Sequence, residues 1–109
     1  MSVSAPDIAF ARELFSALGE ITHRRMMGGA TLYCDGAIFA CLDSQGRIYL
    51  RASGDLARRM AAEGAAQFSY DRKSDGKTLT MGYWTLPSAA LDDPDAACDW
   101  AGQALSEGG

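Results

Sequence analysis

Residues 24–40 read Arg24-Arg25-Met26-Met27-Gly28-Gly29-Ala30-Thr31-Leu32-Tyr33-Cys34-Asp35-Gly36-Ala37-Ile38-Phe39-Ala40, and this stretch decides the fold. Gly28-Gly29 and Asp35-Gly36 punctuate two alternating apolar runs, the pattern of consecutive antiparallel hairpins. If Asp35-Gly36 closes a two-residue turn, Cys34 pairs with Ala37, Tyr33 with Ile38, Leu32 with Phe39, Thr31 with Ala40 and Ala30 with Cys41.

Working outward, a helix is expected from Pro6 to Leu18, with Ile8, Ala11, Leu14, Phe15 and Leu18 as its apolar stripe and Gly19 at its end. Strands are expected at Ile21–Met26, Ala30–Cys34, Ala37–Leu42 and Arg47–Arg51, separated by turn chemistry. A second helix runs from Asp55 to Glu63, capped by Ser53 or Asp55 and stopped by Gly64. Phe68–Asp71 and Thr78–Thr85 form a further hairpin around the polar loop Arg72–Lys77. The last helix spans Pro94 to Leu105 with Asp93 as its N-cap, and Ser106 to Gly109 is expected to fray. The order α-β4-α-β2-α predicts an α+β fold: two layers, an antiparallel sheet of five to six strands, and helices covering one face.

The chain of 109 residues is 48% apolar and 22% charged, enough for one domain, residues 1–109, around a single modest core. Its net charge of −4 argues against a domain whose task is to neutralise phosphates. No apolar run approaches the ~20 residues that span a bilayer. Met1–Pro6 has neither the basic nor the apolar region of an export signal, so a cytoplasmic location is expected. Three cysteines, Cys34, Cys41 and Cys98, form no CxxC pair. In the simple register Cys34 and Cys41 share a face roughly 13 Å apart, beyond the about 7 Å between Cα atoms that a disulfide tolerates. Reduced, half-buried thiols are expected.

With a four-residue loop at 43–46, the register splits the sheet into two faces. One holds Ala30, Leu32, Cys34, Ala37, Phe39, Cys41, Ile48 and Leu50, entirely apolar, and is the expected core face. The other holds Thr31, Tyr33, Ile38, Ala40, Leu42, Arg47, Tyr49 and Arg51. Partial cover by a helix or loop, a homodimer interface and a base-stacking platform compete for this second face. From it come the candidate interaction residues Tyr33, Ile38, Leu42, Arg47, Tyr49 and Arg51.

A weaker candidate is an anion site at Arg24, Arg25, Gly28 and Gly29, where glycine amides would form a nest beside an arginine. It matches no phosphate-binding fingerprint, and a tight connection needing positive φ explains the glycines equally well. His23, the only histidine, lacks companions at ligand spacing and an adjacent nucleophile, so neither a metal site nor a catalytic base is expected. Asp92, Asp93 and Asp95 surround a helix start, where caps and dipole partners belong. Tyr83, Trp84 and Trp100 read as core, and Arg72, Lys73 and Lys77 as a solvated turn. No catalytic residue, cofactor or metal is expected.

Several segments together resemble the N-terminal domain of the TfoX/Sxy competence regulators. They are Arg25-Met26-Met27-Gly28-Gly29, Leu32-Tyr33, Asp35-Gly36, Phe39-Ala40, Ile48-Tyr49-Leu50, Phe68-Ser69-Tyr70, Met81-Gly82-Tyr83-Trp84, Pro87, Leu91-Asp92-Asp93 and Trp100-Ala101. Met27 stands where the family's Met-Phe-Gly-Gly motif has an aromatic. The resemblance implies an α/β sandwich-like domain in a bacterial, cytoplasmic protein. It also implies a regulator of DNA-uptake genes that works with the cyclic-AMP receptor protein. The family's full-length regulators carry a second, helical domain after this one, so a stand-alone domain is expected here. The residues and the resemblance together predict a non-enzymatic interaction module, expected as a homodimer, with a transcription regulator as its other partner. A direct nucleic-acid binder, or an anion- or nucleotide-binding protein or enzyme using Gly28-Gly29, are the alternatives.

Overall fold

The computed structural model describes residues 2–26, 28–71 and 78–108. Met27 and the expected loop at 72–77 lie outside these described residues. Ser4 caps the first helix, α1 (Ala5–Leu14), its Oγ accepting from the Asp7 amide at 3.2 Å. The helix buries Ile8, Ala11 and Leu14. It does not continue to Leu18 as expected: after Phe15 the chain tightens into a 3₁₀ turn over Ser16–Leu18.

Four strands follow, β1 (Ile21–Met26), β2 (Gly29–Cys34), β3 (Ala37–Leu42) and β4 (Ile48–Arg51), then α2 (Gly54–Ala62), β5 (Gln67–Asp71), β6 (Thr78–Thr85) and α3 (Pro94–Gly108). All strand pairings are antiparallel, and the sheet order is β1-β2-β3-β4-β6-β5. The fold is α+β, as the element order predicted. α2 ends in a Schellman arrangement, with Gly64 N donating to Ala61 O and Ala65 N to Met60 O, both at 3.0 Å. At the start of α3 the Asp93 carboxylate accepts from the Ala96 amide at 3.3 Å.

The expected register holds only at the Asp35-Gly36 turn, where both residues have positive φ (50° and 88°), as a type I′ turn requires. Cys34 pairs with Ala37 and Tyr33 with Ile38, but Leu32 then pairs with Ala40, Thr31 with Cys41 and Ala30 with Leu42. Phe39 is thus an extra residue in β3, a β-bulge. It sends two successive side chains, Phe39 and Ala40, into the core, both 0% exposed. The bulge corrects both faces. Ala40 and Leu42 belong to the core, while Cys41 moves to the second face and Ala37 is exposed. Cys34 and Cys41 therefore do not share a face, and all three thiols are free.

The loop before β4 is also one residue longer than expected, since Leu42 pairs with Ile48. Asp43 shapes it: its Oδ1 accepts from the amides of Gln45 and Arg47, each at 2.9 Å. The added loop residue cancels the bulge, so Ile48 and Leu50 still point into the core.

The side chains buried by α1, α2 and α3 join Leu32, Cys34, Phe39, Leu42, Ile48 and Leu50 in one apolar cluster. At its centre the Phe15 and Phe39 rings meet edge to face, 5.2 Å between centroids. Two ends of the chain are pinned. Val3 is buried, its amide donating to Gly28 O at 2.7 Å while its carbonyl accepts from Arg25 Nη1 at 2.8 Å. At the other end α3 does not fray after Leu105. Glu107 Oε1 accepts from the Ser53 amide at 2.9 Å and the Ser53 hydroxyl at 3.1 Å. A carboxylate from α3 thus occupies the positive end of α2, where the sequence suggested Ser53 or Asp55 as the cap. Asp55 instead pairs with Arg58 and Arg59 at 3.2 and 3.4 Å.

Candidate interaction face

Strand alternation and the pairings assemble the second face residue by residue. Arg24 lies opposite Thr31, Tyr33 opposite Ile38, Cys41 opposite Tyr49 and Arg51 opposite Tyr83. Tyr33, Ile38, Cys41 and Tyr83 are half-buried, and Arg24 and Arg51 are exposed. None of the six belongs to the buried apolar cluster.

Of the predicted interaction residues, Tyr33, Ile38 and Arg51 share this face as expected. Leu42 does not, because the bulge turns it into the core. Tyr49 is on the face yet only 7% exposed. Its ring meets Phe68 edge to face at 4.9 Å and its hydroxyl donates to Asp43 Oδ2 at 3.2 Å. It is a supporting residue beneath the surface. Arg47 is exposed in the loop just before β4.

Cys41, Tyr83 and Phe68 were missed. Cys41 needed the bulge. Tyr83 was read as core together with Trp84, but adjacent strand residues point to opposite faces. Trp84, opposite Leu50, packs against the core, and Tyr83 takes the other side. Only the pairing of β4 with β6, which is non-local, shows which of the two is which.

The face is neutral except for its arginines. Burial pushes the Cys41 thiol up to about 12, with the Asp43 carboxylate adding to the effect. Burial likewise raises Tyr83, helped by Cys41 and opposed by the Arg51 guanidinium. Tyr49 is raised by burial and Asp43, with Arg47 working against them. All three stay protonated at neutral pH. Strands β1 to β4 hold Arg24, Arg25 and Arg51 and no carboxylate, whereas α3 holds Asp95, Asp99 and Glu107 and no basic residue. Among the described residues the ion pairs are those of Asp55, so Arg24 and Arg51 carry unpaired charge.

The residues of the candidate anion site do not converge. Arg24 and Arg25 are neighbours on one strand and take opposite sides of it. Arg25 is committed to the Val3 carbonyl. Gly28 has a φ of 84°, and a Cβ on Gly29 would run into the Leu42 carbonyl oxygen, so both glycines have architectural reasons. A hollow of about 180 Å³ lies beside Ser2, Arg25, Met26 and the two glycines. His23 is half-buried on β1 opposite Leu32. Among the described residues no three His, Cys, Asp or Glu side chains form a group able to hold a metal.

Fold and geometry define the class: a small α+β domain with an antiparallel sheet whose second face presents tyrosines and arginines. The chain belongs to the TfoX N-terminal domain family, whose model matches residues 13–108, nearly the whole length. No curated protein matches the sequence. Among the described residues no helix is long and apolar enough to cross a membrane.

Proposed function

We propose that this domain is a non-enzymatic, cytoplasmic interaction module that acts in the regulation of transcription of DNA-uptake genes by contact with another protein. Membership of the TfoX N-terminal family supports the regulatory role. The observation that carries the contact mechanism is the patch formed by Tyr33, Ile38, Cys41, Arg51 and Tyr83. Tyrosine and arginine are the residue types enriched where protein surfaces meet, because each combines apolar area with a directed polar group. Among the described residues Arg51 has no ion pair, and a free guanidinium on a half-apolar sheet face is available to a partner.

The test is a transcriptional reporter of DNA-uptake genes in the native cell. Ile38→Asp places a charge in the middle of the patch without touching the core cluster. It is expected to abolish the domain's effect on the reporter while the purified variant melts within a few degrees of the wild type. Asp99→Asn on α3, remote from the patch in the fold, is expected to leave the reporter unchanged. Regulation that survives Ile38→Asp at equal protein levels would remove this face from the function.

A further inference from the structure

We infer that the occupant of the second face is an acidic, partly apolar segment of another protein, not a second copy of this chain and not nucleic acid. This rests on the contact reading of the face and specifies its ligand. In a chain of net charge −4, the charged residues of strands β1 to β4 are all arginines, Arg24, Arg25 and Arg51. Asp43, in the loop between β3 and β4, is engaged by the Tyr49 hydroxyl and by the backbone amides of Gln45 and Arg47.

On the helical side, α3 and its lead-in carry Asp92, Asp93, Asp95, Asp99 and Glu107 and no basic residue. A two-fold pair built on the second face would set the Arg24 and Arg51 of each copy against strands that hold no carboxylate, and like charges buried together oppose association. Nucleic acid would meet the same arginines, but also the repulsion of a net negative domain, with few cations to release counterions. A segment that alternates carboxylates with Leu or Phe satisfies both components. Its carboxylates pair with Arg24 and Arg51, and its apolar side chains rest on Tyr33, Ile38 and Tyr83.

The probe is a labelled 15-residue synthetic peptide alternating Asp or Glu with Leu or Phe, titrated with the intact chain and followed by fluorescence polarisation and by amide chemical shifts. Saturable binding is expected, with shifts grouped at Tyr33, Ile38, Cys41 and Tyr83. Arg51→Ala is expected to weaken it about tenfold, Arg51→Lys to restore part of the loss, and Arg58→Ala on α2 to leave it unchanged. Affinity is also expected to fall as salt rises from 50 to 500 mM, since exposed charges are screened beyond about 10 Å at 0.1 M ionic strength.

Equal affinity for the Asn/Gln version of the peptide overturns the charge argument. Shifts spread over α2 or α3 overturn the location. Arg51-dependent binding of a labelled oligonucleotide, or an Arg51-dependent dimer in light scattering, hands the face to the other occupants and overturns the inference. In those cases loss of the reporter with Ile38→Asp still supports the contact reading, so the two fail separately.

Discussion

At Gly29 the backbone of β2 passes so close to the Leu42 carbonyl that no Cβ fits. Gly36 has open space around it and needs glycine only for its φ of 88°. The two positions therefore answer alanine substitution differently. Gly36→Ala is expected to cost about 1 kcal/mol, the strain of a side chain at positive φ. Gly29→Ala is expected to cost at least twice that, because backbone must move; chemical denaturation of the two variants measures the difference. Cys41 is the second informative residue. Its thiol, raised to about 12 by burial, stays protonated in the fold at pH values where an unfolded chain would release the proton. The sign follows: stability is unaffected below about pH 8.5, the ordinary thiol value, and falls as pH rises from there towards 12. Tyr83 and Tyr49, also raised by burial, steepen the decline above about pH 10. Cys41→Val is expected to flatten the first part of that decline in thermal melts at pH 8 and pH 10, and an unchanged slope would mean that the thiol is not its source.

At the scale of elements, most of the fold was legible because each strand and helix is bounded by its own chemistry. Asp93 caps the last helix, Asp35-Gly36 closes a type I′ turn, and β1, β3 and β6 have the limits that the alternation suggested. The bulge was not legible, and the reason is local. Along Phe39-Ala40-Cys41-Leu42 both phases of the alternation are apolar, so a period-2 pattern cannot register a slip of one residue. The slip decides which of Ala40 and Cys41 enters the core cluster. Ala40→Asp is expected to destabilise the domain by about 3 kcal/mol or more, as an unpaired carboxylate in the core does. Cys41→Ser is expected to cost under about 1.5 kcal/mol. The uninterrupted ladder predicts the reverse order, so the pair of melts decides between registers. The tie between Ser53 and Glu107 was equally hidden, since its partners are 54 residues apart. Glu107→Ala is expected to cost about 0.5–1 kcal/mol and to speed amide exchange at Ser53, while Gln103→Ala on the same helix does neither.

For the whole molecule, the property that matters is a local asymmetry of charge: β1 to β4 hold arginines and no carboxylate, while the last helix holds carboxylates and no basic residue. Net charge alone hides this asymmetry, which is why the acidic total spoke against phosphate binding yet said nothing about an acidic protein partner. The sequence named three residues of the contact patch, Tyr33, Ile38 and Arg51, and left out Cys41 and Tyr83. These two depend on a bulge and on the non-local neighbouring of β4 and β6. The most direct measurement is photo-crosslinking in the native cell from a reactive side chain placed at position 38, compared with one placed at position 99 on α3. The account predicts a discrete heterologous adduct from position 38, lost when Arg51→Glu is added, and none from position 99. An adduct formed only from position 99, or one from position 38 indifferent to Arg51→Glu, would contradict it.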